Sequence, residues 1–515
     1  MRACVLDLGS NSFHVLVADV DDGRVVPVLR QREMLHLGAV VARHGHIPPD
    51  ACDRAATTAG HLADLGRRAG ATEVTAVATS AIRDATNGRD VLAAIEAATG
   101  VRVGILSGDE EARLSYLGVR SAVAVEAEPV LVLDLGGGSL EFAVGRGAEV
   151  TWSTSTPLGS SRLTTVVDDD PPRPRDLLRL RDAVAAEIDP LVTEVEARAP
   201  ALVVAVGGTV RALARVAATA AGAWLPGDVM TNQLPVTTSE LRILRDRLVA
   251  LDADGRSDVP GMKASRADHI HVAAVVLVET LERLHIEGVT IADAGLREGM
   301  LLDAAGAHAV ADGPQLRGRE VQRVVDTFLP DDLHPGHVAI LAGLVFDELV
   351  DLHGLGDDDR ELLVHAARLH TIGEALALRR SHRHGAYLLE HAELRGFAPQ
   401  DLAVVAALVR FHGARGLDRG FPPVAGLDAP RRERTERLLA LLQLADVLDR
   451  ARDQAVHDVH ALDDGEVVTV RVAGDPHVDL ADLGRRRDCF ARAFSRGLRL
   501  VDDATDATLG EASGR

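Results

Sequence analysis

Asp7 and Asp134 each end a short apolar run and are each followed at once by small residues. The same five letters carry them: Val5-Leu6-Asp7-Leu8-Gly9 before Ser10-Asn11-Ser12, and Val132-Leu133-Asp134-Leu135-Gly136 before Gly137-Gly138-Ser139. After each loop an alternating run resumes, Phe13 to Val17 and Leu140 to Val144. The pattern predicts two hairpins whose loops carry many free backbone N–H groups. Such loops form concave anion sites. A carboxylate beside them repels a phosphate, but it can hold a divalent cation that offsets the repulsion. Glu141 falls on the same strand face as Ser139, and with Asp134 it could approach one Mg²⁺. Its plainer reading is the polar half of an alternating strand.

Three more segments carry polar groups at strand ends. Val206-Gly207-Gly208-Thr209 closes an apolar strand and opens a helix over Val210 to Ala217, either as a phosphate seat at a helix N-terminus or as a tight turn with a Thr cap. Arg83 lies in the polar turn Thr79 to Asn87. Its guanidinium can take a phosphate in bidentate fashion, although the segment alone favours a surface arginine. Ser107 and Glu110 have capping-box spacing, which explains Glu110 structurally. Glu111 has no such role. It could orient and deprotonate a water, but spacing alone favours a solvated acid at the positive helix end.

The elements that must hold these groups alternate. Cys4 to Asp7, Phe13 to Val20, Val25 to Arg30, Val74 to Ala78 and Val101 to Leu106 read as strands, with helices at Ala51 to Ala69 and Glu110 to Arg120. A second block repeats the order with strands Val130 to Leu133, Leu140 to Val144 and Val150 to Ser155, a helix near Leu177 to Ala197, and strand Leu202 to Val206. From Val321 to about Arg452 the pattern is nearly all helical, and the remainder returns to strands beside one helix.

The chain has 515 residues and a formal net charge of −21, which excludes a global positive field and argues against DNA binding. Lys263 is the only lysine, so no P-loop lysine follows either glycine loop. Three widely spaced cysteines fit a reducing compartment. No signal-peptide pattern or membrane span is read, and a cytoplasmic location is expected.

Together the stretches VLDLGSNSFHVLVADV, ATSAIRDATNG, ILSGDEEARLSYLGVRSA, VLVLDLGGGSLEFAVG, PLGSSRL, AVGGTVRALA and ADAGLREGML resemble the exopolyphosphatase and guanosine pentaphosphate phosphatase (Ppx/GppA) family, in its order, over residues 1 to about 305. The resemblance implies a duplicated α/β fold of the actin-like, sugar-kinase-like (ribonuclease H-like) kind. Residues 1–122 and 123–305 would be its two domains. A helical HD-like domain would follow over 315–452, and a small α+β unit over 453–515.

The same resemblance makes Glu111 the general base and Asp134 and Glu141 the Mg²⁺ ligands. It assigns Ser10, Asn11, Ser12, Arg83, Gly137, Gly138, Ser139, Gly208 and Thr209 to the phosphate site. The implied reaction releases orthophosphate from the ends of inorganic polyphosphate. The alternatives are a guanosine pentaphosphate 5′-phosphatase, a non-catalytic polyphosphate or alarmone-binding regulator, and a kinase of the same fold. A homodimer is implied by the family alone.

In the helical region, Leu363 to Tyr387 and Val404 to His412 resemble the histidine-rich domain of the family's long forms, itself HD-like. The HD fold needs adjacent His-Asp ligands, whereas this chain has His370-Thr371. An intact second metal site is therefore not expected. His337, His382, His384, His412 and Asp446 could still cluster, but core or surface side chains are the favoured reading. Some of the arginine strings 379–384, 431–434 and 485–487 are expected to line a channel for a long polyphosphate chain, the alternative being solvated faces.

Overall fold

A computed structural model of the chain describes residues 1–21, 23–228, 230–307, 313–474 and 480–509. Strands β1 (Arg2–Leu8) and β2 (Ser12–Asp21) form the first hairpin, and β3 (Arg24–Met34) extends it. On the other side of β1 lie β4 (Glu73–Ala78) and then β5 (Val103–Ile105), both parallel, giving the order β3-β2-β1-β4-β5. The second sheet repeats this plan with β6 (Val130–Leu135), β7 (Leu140–Arg146), β8 (Glu149–Thr156), β9 (Leu202–Val206), β10 (Pro235–Thr237) and β11 (Gly288–Ile291), in the order β10-β11-β9-β6-β7-β8. In both sheets a hairpin flanks the first strand on one side and a parallel partner on the other. Strands covered on both faces bury successive side chains, which is why Cys4, Val5 and Leu6 are all apolar and buried.

Several elements differ from the sequence reading. β3 runs on to Met34, pairing Met34 with Ser12, although its exposed polar end gives no alternating apolar signal. The helix expected near Leu177 to Ala197 breaks into Pro174–Ile188, a 3₁₀ turn at Asp189–Leu191 and Val192–Glu196. Pro190 lies at the break, where its missing N–H and its ring oppose a continuous helix.

Met1–Ala221 and Thr231–Gly313 form one compact unit that contains both sheets. Gly222–Met230 and the chain from Pro314 form a second. The second unit holds the helices His334–Glu348, Asp357–Leu369, Ser381–His391, Pro399–Phe411 and Ala429–Leu448, then a sheet in the order β12 (Asp458–Asp463), β13 (Val467–Ala473), β14 (Gly497–Asp502), β15 (Thr508–Leu509). One apolar core joins helix residues Leu438 and Leu441 to sheet residues Val468, Val470 and Leu500. The expected boundaries at 122/123 and 452/453 thus fall inside these two units. No described helix is long and apolar enough to cross a membrane.

Candidate active site

The two hairpin loops meet. A side chain at Gly137 would stand 3.0 Å from the Asn11 amide, and one at Gly138 would lie 2.6 Å from the Ser10 hydroxyl. The loop carbonyls are engaged by neighbouring segments: Ser10 O accepts from Gly38 N–H (2.7 Å), Asn11 O from Leu35 N–H (2.9 Å), Gly136 O from Ser160 N–H (3.1 Å) and Gly137 O from Ser161 N–H (2.9 Å). Gly138 O accepts from the Arg162 Nε–H (2.9 Å). A planar trans peptide points its N–H opposite to its C=O. The N–H groups of Asn11, Ser12, Gly137, Gly138 and Ser139 therefore point away from those partners, and all five residues line one cleft.

The helix Gly208–Ala220 brings its N-terminus to the same cleft, with Gly208, Thr209 and Arg211 on the wall. Gly207 has φ +118°, and a Cβ there would press to 2.6 Å from Leu135 O, so glycine is required at this close approach. Arg266 donates from Nη1 to Thr209 Oγ1 (3.0 Å). Burial, then Arg32, Arg211 and Arg215, push its guanidinium down to about 10. This crowd of like charge marks a wall built to face an anion.

Carboxylates share the cleft: Asp7, Glu111 and Asp134 line it as well. Strand register places Asp134 directly across from Glu141, and Asp7 directly across from His14. Ser115 Oγ donates to Asp134 Oδ2 (2.5 Å) and Ser155 Oγ to Glu141 Oε1 (2.9 Å). Burial first, then Asp134, pushes Glu141 up to about 8. Burial, partly opposed by Arg297, pushes Asp7 up to about 6. His14 is driven down to about 2 by burial and then by Arg297, so it is neutral there.

Glu111 sits in the first turn of the helix Gly108–Arg120, whose N-cap Ser107 Oγ accepts from the Glu110 N–H (3.2 Å). It is only 9% exposed, and its Oε2 has no hydrogen-bond partner. Arg83 Nη1 stands 3.5 Å from that oxygen while donating to Leu106 O (2.7 Å). Burial, then Glu141 and Asp134, raise the Glu111 carboxyl well above the usual range. The cleft thus brings together N–H-rich loops, arginines and a cluster of acids.

Of the residues singled out from sequence, Ser10, Asn11, Ser12, Glu111, Asp134, Gly137, Gly138, Ser139, Gly208 and Thr209 line this cleft. Glu141, 2% exposed, is the cross-strand partner of Asp134, and Arg83 stands 3.5 Å from Glu111; neither is among the residues that line the cleft. Sequence reasoning passed over Ser80, whose hydroxyl bonds Ser10 Oγ (2.7 Å), and over Arg32, Arg211, Arg266 and Arg297 on the wall. Arg211 and Arg297 had a signal, since they lie inside the stretches AVGGTVRALA and ADAGLREGML. Arg32 and Arg266 are single arginines in an arginine-rich chain.

Residues 16–308 match the Ppx/GppA phosphatase family, and residues 316–474 match Ppx/GppA phosphatase, domain III. The chain belongs to the Ppx/GppA phosphatase family. Exopolyphosphatase 1 of Mycobacterium tuberculosis is 38% identical over 305 residues, covering 59% of this chain and 88% of that protein. Exopolyphosphatase 1 of Mycobacterium leprae is 36% identical over 334 residues, covering 63% and 97%. Among solved structures, an exopolyphosphatase from Cytophaga hutchinsonii aligns with a TM-score of 0.55 at 27% identity, over 59% of this chain and 98% of that one. An Aquifex aeolicus Ppx/GppA family member aligns at 0.51 and 26%, over 59% and 97%. The duplicated mixed α/β sheets are the fold that this chain shares with these Ppx/GppA structures.

In the second unit His370 and Asp446 come together with His334, and His412 packs on His370 with ring centroids 5.2 Å apart. His382 lines the cavity next to Asp446. His337 and His384 are half-buried and lie outside this set. The arginines at 431 and 434 pair with Asp428 (2.7 Å) and Asp359 (3.6 Å).

Proposed function

We propose that the chain is an exopolyphosphatase that hydrolyses the terminal phosphoanhydride bond of inorganic polyphosphate with Mg²⁺. The observation that carries the reading is Glu111, a buried acid whose Oε2 makes no hydrogen bond, in the cleft shared with the two N–H-rich loops. Water attacks the terminal phosphorus, the bridging P–O bond breaks, and orthophosphate leaves with a chain one unit shorter. Glu111 orients that water and takes its proton, and Arg83 positions Glu111. A base whose affinity for protons lies near the working pH is the more effective one. The loop N–H groups, Ser10, Asn11, Ser12, Ser139, Gly208 and Thr209 hold the terminal phosphoryl group. Arg32, Arg211 and Arg266 hold the phosphates behind it.

The donor set fits a hard divalent cation. Asp7 and Asp134, half-buried, and Glu111 and Glu141, buried, are oxygen donors held above their usual range by desolvation and, for all but Asp134, by one another. A cation relieves both costs, and such oxygens suit Mg²⁺. Asp134 and Glu141 would hold it. When bound it neutralises charge on the phosphoryl oxygens.

Among the described residues lining the cleft none is Phe, Tyr or Trp, so no aromatic ring stands ready to stack a guanine. This favours polyphosphate over guanosine pentaphosphate. Turnover of the two substrates side by side tests it: faster orthophosphate release from polyphosphate supports the proposal, and preference for the nucleotide reverses it. A homodimer and a cytoplasmic location complete the reading, the former checked by light scattering.

A further inference from the structure

His14 lines the cleft between Ser12 and Arg297. It lies in β2, two residues after Ser12, and strand alternation puts the two side chains on one face. Its Nε2 is 2.7 Å from Ser12 Oγ, and its Nδ1 is 3.0 Å from Arg297 Nη1.

These two contacts fix where the hydrogens are. A guanidinium carries N–H donors and nothing that accepts. His14 Nδ1 therefore accepts from Arg297 and bears no hydrogen. Burial, then Arg297, keep the ring neutral. Its one hydrogen is then on Nε2 and is donated to Ser12 Oγ. Arg297 is held on its far side by Asp7, whose Oδ2 stands 4.0 Å from Arg297 Nε. Ser12 Oγ is thus supplied with a hydrogen from the ring, and its own hydrogen is left to donate elsewhere. Ser12 is 8% exposed and lines the cleft.

The second hairpin reverses this polarity. Ser139 and Glu141 follow Asp134 at the spacing with which Ser12 and His14 follow Asp7. Ser139 bonds Glu141, and an ionised carboxylate only accepts, so Ser139 gives its hydrogen to that acid. At matching positions, one hydroxyl is set to donate into the cleft and the other keeps its lone pairs free. We propose that His14 is a positioning residue: with Arg297 it fixes the Ser12 hydroxyl as a hydrogen-bond donor to the substrate's terminal phosphoryl group, whose ionised oxygens only accept. The phosphoryl group as acceptor rests on the hydrolase reading; the tautomer of the ring does not.

A glutamine side chain carries an accepting oxygen and a donating nitrogen on one carbon, so His14→Gln can keep both contacts. His14→Leu removes both and still fills space. Long-range proton–nitrogen correlation spectra of the substrate-free full-length chain, with isotopically labelled histidine, read which nitrogen of His14 bears the hydrogen; the signal is assigned by its loss in His14→Gln. Nε2–H is expected, and Nδ1–H overturns the proposal. In orthophosphate release from polyphosphate with Mg²⁺, His14→Leu should lower kcat/KM by about 10-fold or more, the worth of a hydrogen bond to a charged group. His14→Gln should recover most of that loss, and in a Ser12→Ala chain His14→Leu should cost little more. Equal losses in the leucine and glutamine variants, or a loss that adds in full to that of Ser12→Ala, overturn the proposal. If His14→Leu does not fold, the tautomer in the unaltered protein decides. If the unaltered chain releases no orthophosphate, the hydrolase reading fails by itself, and the tautomer together with the ranking of the same variants in tripolyphosphate affinity by calorimetry decides the role of His14.

Discussion

Asp134 and Glu141 face each other directly across the second hairpin, at the register where Asp7 faces His14 in the first. The duplicated sequence thus builds one backbone frame twice but fills it differently. The first copy pairs its aspartate with an imidazole engaged by Ser12 Oγ (2.7 Å) and Arg297 Nη1 (3.0 Å). The second pairs it with another acid, and the buried negative charge gathers there.

That charge makes stability depend on pH. Asp7 and Glu141 have raised pKa values in the folded protein, about 6 and about 8. The folded state therefore binds more protons than the unfolded one. Their contribution is fully present below the ordinary carboxylate range and is lost as pH rises through the folded values. Without divalent ions the melting temperature should fall from about pH 4.5 to about pH 8. Glu141→Gln should flatten the fall, and Mg²⁺ should reverse it in the unaltered protein. Thermal unfolding across that range, with and without EDTA, checks both.

Ser115 and Ser155 support the two acids by hydrogen bonds and touch no part of the substrate path in the proposed reading. Loss of such a support typically costs 10–100-fold in metal affinity or activity. Ser155→Ala should therefore raise the Mg²⁺ concentration for half-maximal rate by roughly 10-fold or more. A Mg²⁺ titration of initial rates reads this. An unchanged midpoint would remove Glu141 from the ligand set.

Gly138 is where the loops touch. A Cβ there would lie 1.9 Å from Ser80 Oγ and 2.6 Å from Ser10 Oγ. Gly138→Ala should destabilise by about 1–3 kcal/mol through overpacking and should cut the rate further by displacing the loop. Ser80→Ala in the same chain removes the closest atom and should restore part of both losses. Denaturant unfolding and phosphate release follow the two effects separately.

The helix that carries Glu111 is set against a second one by a similar contact. A Cβ at Gly118 would meet Gly295 O at 1.9 Å, and one at Gly299 would meet Leu114 O at 1.8 Å. Gly118→Ala should push the helix Leu296–Ala304 away and move Glu111 with it. Stability should fall by about 1–3 kcal/mol, and the rate should fall beyond what the lost folded fraction explains.

The hairpins and the N-cap at Ser107 were legible because turn chemistry and alternation are local signals. Glu111 was not legible by spacing, since an acid in the first turn of a helix is ordinary; only the burial contributed by both sheets separates it from Glu110. The arginine wall was hidden for another reason. Arg32 comes from a strand edge, Arg211 from a helix start and Arg266 from a 3₁₀ turn, and only folding unites them. The His334–Asp449 bond spans 115 residues, so no motif could announce it.

Orthophosphate release from long-chain polyphosphate, measured for the unaltered chain and for Glu111→Gln at saturating Mg²⁺, tests the central claim most directly. The expected result is a fall of roughly 10²–10⁴-fold in kcat with little change in polyphosphate binding, the usual worth of a general base. Equal release by the two proteins would contradict it.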